Sequence, residues 1–340
     1  MLLARDVPGF ALRNRKWRPS EDEFYQLAIS KEHKQLILAL VRSHSRGKLA
    51  TPDKAVNIRP EMDLVRGKGK ELIILLHGVP GAGKTSTAES IASFTKRPLY
   101  PITCGDLGET AREVEESLEA HFTLAHRWGC ILLALSHKLF TIFLRVLEYY
   151  PGILFLTTNR VGSFDEAFKS RIHIALYYPP LSREFTMQVW NSCLAQIGRQ
   201  NAQRDTPVEF DRSKLLDFAE EQYNSDTPWN GRQIRNAFQT AIALAEYERA
   251  EKRHEKLRKY NVDDEGELSD STRSRFQKRF AIVPLTKSHF RQVATAFTKF
   301  ESYMLEVQQQ TDADRAEIDG LRADGWNPNE ETPIAHSSTS

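Results

Sequence analysis

The chain has 340 residues, enough for about two domains at roughly 100–200 residues each. Its 47 lysines and arginines nearly balance its 45 aspartates and glutamates, and the formal net charge of +2 gives no general attraction to nucleic acid or to an anionic membrane. The three cysteines have no C-x-x-C spacing, which argues against a disulfide scaffold and against a structural zinc site.

The cellular location is predicted from two stretches of the sequence, the first twenty residues and the longest apolar run. The first twenty residues lack the apolar core of a signal peptide. The longest apolar stretch, Cys130 to Leu147, is interrupted by Ser136, His137, Lys138 and Arg145, so it is a poor membrane span. We therefore expect an intracellular protein, cytoplasmic or nuclear, without a membrane-spanning segment.

In chain order, residues 1–62 form a charged N-terminal flanking segment, short enough to suggest truncation, in which Lys34–His44 predicts one helix. Residues 63–180 then alternate helical patterns with unbroken apolar runs. These runs are Glu71–Leu76, Pro98–Thr103, Gly129–Leu135, Gly152–Thr157 and Ile172–Tyr178. Unbroken apolar strands are typical of sheets that are covered on both faces, so the pattern predicts an α/β core with a doubly wound parallel sheet.

After Pro179-Pro180 no strand pattern returns, and residues 181–308 predict a small all-helical domain. Its expected helices are Thr186–Gln196, Ser213–Tyr223, Gly231–Tyr260 and Lys287–Gln308. The polar stretch near residues 261–276 predicts a mobile linker within this domain, because it has few apolar residues to bury. Residues 309–340 are expected to form a tail that is disordered at its end.

One motif carries the chemistry: Gly78–Thr85 (GVPGAGKT) fits G-x-x-x-x-G-K-[ST], the P-loop. Its glycines let successive backbone N–H groups converge on phosphates. Lys84 would contact the β- and γ-phosphates, and the Thr85 hydroxyl would ligate Mg²⁺. An apolar strand before the loop and a helix after it disfavour a simple glycine-rich turn. ATP with Mg²⁺ is therefore expected to contact Gly78, Val79, Pro80, Gly81, Ala82, Gly83, Lys84, Thr85 and Ser86.

Four stretches resemble the AAA ATPases (ATPases associated with diverse cellular activities), and in particular the AAA-domain proteins of fungi. They are GKGKELIILLHGVPGAGKTSTAESIA, RPLYPITCGDLGE, LEYYPGILFLTTNRVGSFDEAFKSRIHIAL and WNGRQIRNAFQTAIALA, which together cover most of residues 67–245. The resemblance implies an α/β nucleotide-binding core with a helical lid, ATP hydrolysis, and self-association into a ring, typically a hexamer.

The resemblance also assigns roles to three residues outside the P-loop. Asn159, at the end of the strand ILFLTT, resembles sensor 1, which holds the attacking water near the γ-phosphate. Arg171 resembles the arginine finger that reaches the nucleotide of the neighbouring subunit, and Arg232 resembles sensor 2, with Arg235 one turn further on. Each residue also has an alternative interpretation without a catalytic role. Asn159 would then close a strand into a turn, Arg171 would be a surface arginine before a strand, and Arg232 or Arg235 would be a solvated charge on a helix.

The sequence departs from the family at the Walker B element. The family's apolar strand ends in Asp-Glu, whereas Cys130–Ala134 is followed by Leu-Ser-His-Lys, and no Asp or Glu occurs between Cys130 and Leu147. Either the chain has lost catalysis, or the gene model lacks an exon. We favour the second interpretation because Lys84, Asn159 and Arg171 are all present. We expect this chain to bind ATP and Mg²⁺ but to hydrolyse ATP very slowly.

Three functional hypotheses follow. The first is an ATP-driven ring that remodels an unidentified protein or complex. No aromatic residue lies between Tyr100 and Phe122 to grip a threaded polypeptide, so domain movement is the expected action. The second is a switch that binds ATP without turnover, and the third is a P-loop small-molecule kinase, which gives Asn159 no role. The near-neutral charge disfavours a nucleic-acid partner despite basic runs at residues 13–18 and 252–259.

Overall fold

The computed structural model describes residues 27, 29–46, 71–103, 106–108, 110–135, 150–164, 166–262 and 268–326. The helix predicted at Lys34–His44 is α1, Lys31–Arg46, which buries Ile37 and Val41. The rest of the N-terminal flanking segment lies almost entirely outside the described residues. Residues 136–149, where Walker B carboxylates would follow the strand, also lie outside the described residues.

The core is built on a five-stranded sheet whose neighbouring strands are all parallel. The strands are β1 (Leu72–Gly78), β2 (Leu99–Thr103), β3 (Ile131–Leu135), β4 (Ile153–Thr158) and β5 (Ile174–Tyr178). Their spatial order is β2-β3-β4-β1-β5, so β1 lies between β4 and β5. The predicted doubly wound α/β core is confirmed.

Helices cover both faces of the sheet because the side chains of each strand point alternately to opposite faces. These helices are α2 (Lys84–Phe94), α3 (Ala111–Trp128) and α4 (Glu166–Arg171), with a 3₁₀ turn at Val161–Ser163. Ile73 and Leu75 of β1 pack in the cluster that contains α3, whereas Ile74 and Leu76 pack in the cluster that contains α2 and α1. The sheet therefore has no solvent-facing side at β1, which explains its continuous apolar sequence.

The second domain contains α5 (Arg183–Asn201), β6 (Val208–Phe210), α6 (Arg212–Tyr223), α7 (Gly231–Lys259), α8 (Asp270–Arg279), β7 (Val283–Leu285) and α9 (Lys287–Gln308). All four predicted helices are present. The expectation of an all-helical domain needs correction, because β6 and β7 pair as a two-stranded parallel sheet. Strands of three residues are too short to show an alternating pattern. Pro284 also makes the β7 segment look less like a strand in the sequence.

The region expected to be a mobile linker, near 261–276, is also partly helical. Helix α8 begins at Asp270, and a small cluster buries Leu257, Leu268, Phe276 and Phe280. These few apolar side chains, widely spaced in a polar sequence, are enough to hold α8 against the end of α7. Residues 263–267 lie outside the described part of the chain.

Trp190 of α5 lies at the centre of the lid core and is 1% exposed. Its ring is parallel to that of Trp229, with centroids 6.3 Å apart, and it meets Phe238 at 4.8 Å and Phe290 at 5.2 Å. These contacts link α5, the loop before α7, α7 and α9, so packing around the Trp190 side chain stabilises the arrangement of these parts of the lid.

The last turns of α7 carry many charged side chains. The basic run 252–259 lies on α7, where Lys252 pairs with Glu248, Lys259 pairs with Glu255, and Lys256 lies over the Tyr260 ring. Within the described ranges, no helix has the length and apolarity needed to cross a bilayer.

Beyond the lid, residues 311–326 return to the core. We call Thr311–Trp326 the C-terminal segment; it contains α10 (Asp312–Ile318), capped by Thr311. The Gly162 N–H donates to the Leu321 carbonyl at 3.0 Å, and Trp326 meets Tyr177 edge-on with ring centroids 5.0 Å apart. No helix was predicted in this half of the tail. Residues 327–340, where disorder was expected, lie outside the described residues.

Candidate functional site

The P-loop joins the end of β1 to the start of α2 through a tight turn in which several glycines have positive φ. Gly78 has φ +127°, and a Cβ there would lie 2.1 Å from the Tyr178 carbonyl oxygen of the neighbouring strand β5. Only glycine fits this close approach. Gly83, the N-cap of α2, offers no side chain to the first-turn N–H groups, and that turn contains no acidic residue. The positive end of α2 is thus left for an anion.

Lys84 is held inside the loop and is only 7% exposed. Its Nζ donates to the Gly78 carbonyl at 3.0 Å and to the Val79 carbonyl at 2.6 Å. Burial, together with the smaller effect of the positive charges of Arg322 and Arg232, lowers the pKa of Lys84 to about 8. A buried ammonium group among other cations favours an anionic ligand, because an anion restores the charge balance.

A cavity of about 470 Å³ opens over the loop. The residues predicted from the sequence that line it are Pro80, Gly81, Ala82, Gly83, Lys84, Thr85, Ser86, Asn159 and Arg232. Gly78 and Val79 do not line it, and instead bind Lys84 through their carbonyl groups. The structure therefore brings the P-loop and both predicted sensors to one cavity.

The β-sheet register explains the position of Asn159. Thr158 of β4 pairs with His77 of β1, so Asn159 follows at the level where the P-loop begins. Its preceding residues Thr157 and Thr158 are buried, and the Thr158 hydroxyl accepts a hydrogen bond from the Arg160 N–H at 2.9 Å. The carboxyl ends of these neighbouring parallel strands thus place Asn159 opposite the phosphate-binding loop.

The lid contributes through the N-terminus of α7, which lies directly on the P-loop. Asn230 caps this helix by accepting from the N–H groups of Arg232 and Gln233, each at 3.0 Å. A Cβ on Gly81 would lie 2.3 Å from the Asn230 side chain, and a Cβ on Gly231 would lie 2.9 Å from the Gly81 carbonyl oxygen. This contact places Arg232, in the first turn of α7, at the cavity.

Arg171 is the one predicted catalytic residue that the cavity does not include. It is the last residue of α4 and is half-buried. A residue that completes the site of a neighbouring subunit need not line the cavity of its own chain. Its predicted role as an arginine finger remains a prediction.

Sequence reasoning missed two parts of the site. The first is a buried hydrogen bond from the Tyr178 hydroxyl to the Thr87 hydroxyl at 3.0 Å, which ties β5 to α2. The Tyr178 carbonyl also accepts from the Val79 N–H at 3.1 Å, so this residue fixes the P-loop at both its ends. Burial raises the pKa of Tyr178 to about 12, which keeps the hydroxyl protonated as a donor. No motif marks this residue.

The second missed part is the cavity lining that lies outside the P-loop and the two predicted sensors. It is formed by residues before the core and by the start of the lid: Leu27, Ile29, Leu181, Val189, Ser192, Cys193 and Gln196. Burial raises the pKa of Cys193 to about 11, so its thiol stays neutral. This mixture of apolar walls and a few polar groups is typical of a small-molecule site, and it depends on packing that no local pattern reveals.

The residues present fit a nucleoside triphosphate with a divalent metal ion. The loop, the N-terminus of α2 and Lys84 supply positive charge, and Thr85, which lines the cavity, would offer its hydroxyl as a metal ligand. Among the described residues, no group of three or more His, Cys, Asp or Glu side chains is placed to hold a metal ion alone. A magnesium ion here would depend on phosphate oxygens and water for its other ligands.

Comparison with known families places this site in context. Residues 74–180 match the model of the ATPase family associated with various cellular activities (AAA), and residues 181–311 match that of the fungal AAA+ ATPase lid domain. No curated protein matches the chain. AAA ATPases generally use ATP and Mg²⁺ and usually assemble into rings. The two matches are contiguous and cover the core and the lid in order, so the chain belongs to the AAA-type ATPases.

Proposed function

We propose that the chain binds ATP with Mg²⁺ in this cavity and couples ATP binding and hydrolysis to the remodelling of a protein or complex. The observation that carries the proposal is the convergence of Lys84, Asn159 and Arg232 on one cavity, from three separate parts of the sequence. Lys84 would bind the β- and γ-phosphates, Thr85 would ligate Mg²⁺, and Asn159 would orient the attacking water.

The contact between Asn230 and Gly81 supports coupling between nucleotide and lid. A ligand that spreads the P-loop moves the surface on which α7 is seated, so nucleotide binding would shift the lid against the core. In a ring, Arg171 would reach the nucleotide of the adjacent subunit, since a guanidinium offers forked donors and a permanent charge to phosphate oxygens. We propose a hexamer with a protein client, located in the cytoplasm or nucleus.

A second candidate function is a switch that binds ATP without turnover. One observation favours it: no Asp or Glu occurs between Cys130 and Leu147. Among the described residues that line the cavity, Glu89 is the one carboxylate, and it lies on α2 one turn beyond Thr85 rather than at the end of a strand. Within the described lining, therefore, no carboxylate lies at the end of a strand to polarise a water toward the γ-phosphate.

The test compares wild type with Lys84→Ala for binding of a non-hydrolysable ATP analogue and for phosphate release. We expect wild type to bind the analogue and Lys84→Ala to bind it much more weakly. Phosphate release by wild type that Lys84→Ala abolishes would support the remodelling ATPase, whereas equally negligible release by both would support the switch. Failure of wild type to bind any adenine nucleotide would refute the whole proposal.

The transcript across codons 134–143 separates the two functions independently. An in-frame exon that encodes Asp-Glu after the β3 strand would support the remodelling ATPase. Its absence from transcript and genome would support the switch.

A further inference from the structure

The end of α7 that lies far from the P-loop borders a second cavity, of about 340 Å³. Its lining comes from four elements, because α7, the end of α8, β7 and the start of α9 meet there. Among the described residues, none lines both this cavity and the one over the P-loop. Arg232 at the first cavity and Lys252 at the second are about 30 Å apart along α7, at 1.5 Å per residue. The second cavity is therefore a separate place in the lid.

The second cavity is lined by a row of cations. Those on α7 follow one another at helical spacing, so they lie on one side of that helix. They are Arg249, Lys252, Lys256 and Lys259. Arg279, the last residue of α8, adds a fifth cation from a second helix. Two carboxylates also line the cavity, so its wall is clearly positive, although the whole chain has a formal net charge of only +2.

The two carboxylates each pair with one lysine of the row. Lys252 Nζ lies 3.1 Å from a Glu248 oxygen, and Lys259 Nζ lies 2.7 Å from a Glu255 oxygen. Both pairs are of the i, i+4 type on the surface of α7. They account for two of the five cations and leave three.

The remaining three cations, Arg249, Lys256 and Arg279, form no ion pair with a carboxylate in the part of the chain that the structure describes. Arg249 Nε donates to the Phe280 carbonyl at 2.8 Å, and Lys256 Nζ lies 5.3 Å from the centre of the Tyr260 ring. A carbonyl group and a ring leave the positive charges in place. Three like charges around one cavity repel one another, and an anion between them would relieve that repulsion.

A buried hydrogen-bond donor also lines the cavity. His289 is 3% exposed, and its Nδ1 accepts from the Thr286 N–H at 3.0 Å. The neutral ring therefore carries its proton on Nε2. That nitrogen lies 3.5 Å from Glu248 Oε1, which is too long for a strong hydrogen bond. The Nε2–H group is thus able to donate to a closer oxygen in the cavity.

We propose that this cavity is a second ligand site of the chain, which binds a small molecule that carries a phosphoryl or diphosphoryl group. A phosphoryl group brings about two negative charges, where a carboxylate brings one, and it suits three unpaired cations better. Its oxygens also match the forked donors of Arg249 and Arg279. Phe280, Ile282 and Pro284 form an apolar wall beside the cations, against which the rest of such a molecule would pack.

The size and surroundings of the cavity favour a small molecule over a larger polyanion. Its volume is at the lower end of the roughly 300–1,000 Å³ that is usual for small-molecule sites. Glu246 and Glu251, exposed on α7 close to the row of cations, would repel the backbone of a nucleic acid or an acidic protein surface. The positive charge is therefore concentrated in the cavity and is not spread over the helix.

The test uses inorganic pyrophosphate as the probe and titration calorimetry as the measurement. It is made in Lys84→Ala, so that the P-loop does not compete for the probe. We expect one pyrophosphate to bind per chain, and Arg279→Ala in the same background to weaken it about tenfold or more, as the loss of a charge-assisted hydrogen bond does. Absence of saturable binding would overturn the proposal, whether or not wild type binds ATP.

The matched control is Arg275→Ala. Arg275 lies one turn before Arg279 on α8 and does not line the cavity. Because it removes the same charge from the same helix, a specific site predicts less than about a twofold change. Equal losses from Arg275→Ala and Arg279→Ala would show a general attraction between charges and would overturn the proposal.

Two further measurements keep the test independent of any one variant. Lys256→Met keeps most of the stem but removes the charge, so it should also weaken pyrophosphate binding. In Lys84→Ala, pyrophosphate should slow hydrogen exchange of backbone amides near residues 279–289 and leave those of residues 78–86 unchanged. Protection confined to residues 78–86, or a polyglutamate peptide that binds the cavity more tightly than pyrophosphate does, would refute a site for small phosphorylated molecules.

Discussion

Gly81 in the P-loop and Asn230 at the start of α7 lie so close that no side chain larger than hydrogen fits between them. A Cβ on Gly81 would be 2.3 Å from Asn230 Oδ1 and 2.4 Å from its Cγ. Asn230 cannot move away freely, because the same oxygen caps α7 through two backbone N–H groups. The phosphate-binding loop and the lid are therefore in direct contact here, with a glycine on one side.

A matched pair of glycine substitutions tests this contact between the P-loop and the lid. Gly81 and Gly83 both have positive φ, +76° and +99°, so alanine at either position carries backbone strain of about 1–2 kcal/mol. A Cβ on Gly83 meets nothing within 4 Å, whereas one on Gly81 must displace Asn230. We expect Gly81→Ala to lower the free energy of unfolding by at least about 1 kcal/mol more than Gly83→Ala, measured by urea denaturation.

The fluorescence of Trp229, which adjoins Asn230, should report the same event locally. Gly81→Ala should change it and Gly83→Ala should not. Equal destabilisation with no difference in fluorescence would show that the lid does not depend on this contact.

Two neighbouring tyrosines make a second matched pair. The Tyr178 hydroxyl donates to Thr87, while the Tyr177 hydroxyl is buried without a partner in the described part of the chain. We expect Tyr178→Phe to lower the free energy of unfolding by about 1 kcal/mol, because it removes a buried hydrogen bond. Tyr177→Phe should change it by no more than about 0.5 kcal/mol, because no hydrogen bond is lost. Thermal and chemical denaturation of the two variants measure the difference, and a larger effect at Tyr177 would contradict the assignment.

The lowered pKa of Lys84 predicts how nucleotide affinity depends on pH. Below about pH 8 the nucleotide-free protein already carries the ammonium charge, so affinity should be constant there. Above about pH 8 the free lysine loses its proton, and because bound phosphate stabilises the charged form, binding must take up a proton. The association constant should therefore fall, by up to about tenfold per pH unit, as pH rises from 8 toward the pKa in the complex.

Titration calorimetry with an ATP analogue at several pH values between 7.5 and 9.5 checks this dependence. The control is Lys84→Arg, whose guanidinium stays charged throughout this range, so whatever affinity it retains should not change with pH. Parallel profiles for wild type and Lys84→Arg would show that another group is responsible.

The fourth prediction concerns the lid core. Trp190 is 1% exposed and contacts aromatic rings from four other parts of the lid, so Trp190→Ala leaves a large cavity. We expect a loss of about 3–5 kcal/mol, a large share of the stability of a typical domain, and therefore a lid that melts before the core. Calorimetry should show two transitions in Trp190→Ala, and Trp190→Phe, which fills part of the space, should restore much of the loss. A single shifted transition would mean that lid and core unfold as one unit.

The core and the phosphate loop were predictable because their signals are local and continuous. Runs such as Leu72–Leu76 are buried on both sides and so show unbroken apolar sequence, and the loop that follows has a fixed spacing of Gly83 and Lys84. The long lid helices were predictable for the same reason, since their periodicity extends over several turns.

The features that the sequence did not predict depend on contacts between residues that are far apart in the chain. Strands β6 and β7 have three residues each and exist because residues 208–210 and 283–285 meet in space. The cavity lining combines Ile29 with Cys193, and neither position carries a pattern of its own. The C-terminal segment has a polar sequence, and its position on the core follows from the ring contact of Trp326 with Tyr177 and the hydrogen bond from Gly162 to Leu321.

Helix α7 has 29 residues, and at 1.5 Å per residue it is about 43 Å long. One of its ends is seated on Gly81, and the other is far from the nucleotide. If the lid turned by about 10° about this seat, the far end of α7 would move by about 7.5 Å, by the same rise per residue. A small rotation of the lid at the phosphate loop would therefore become a much larger displacement at the far end of α7.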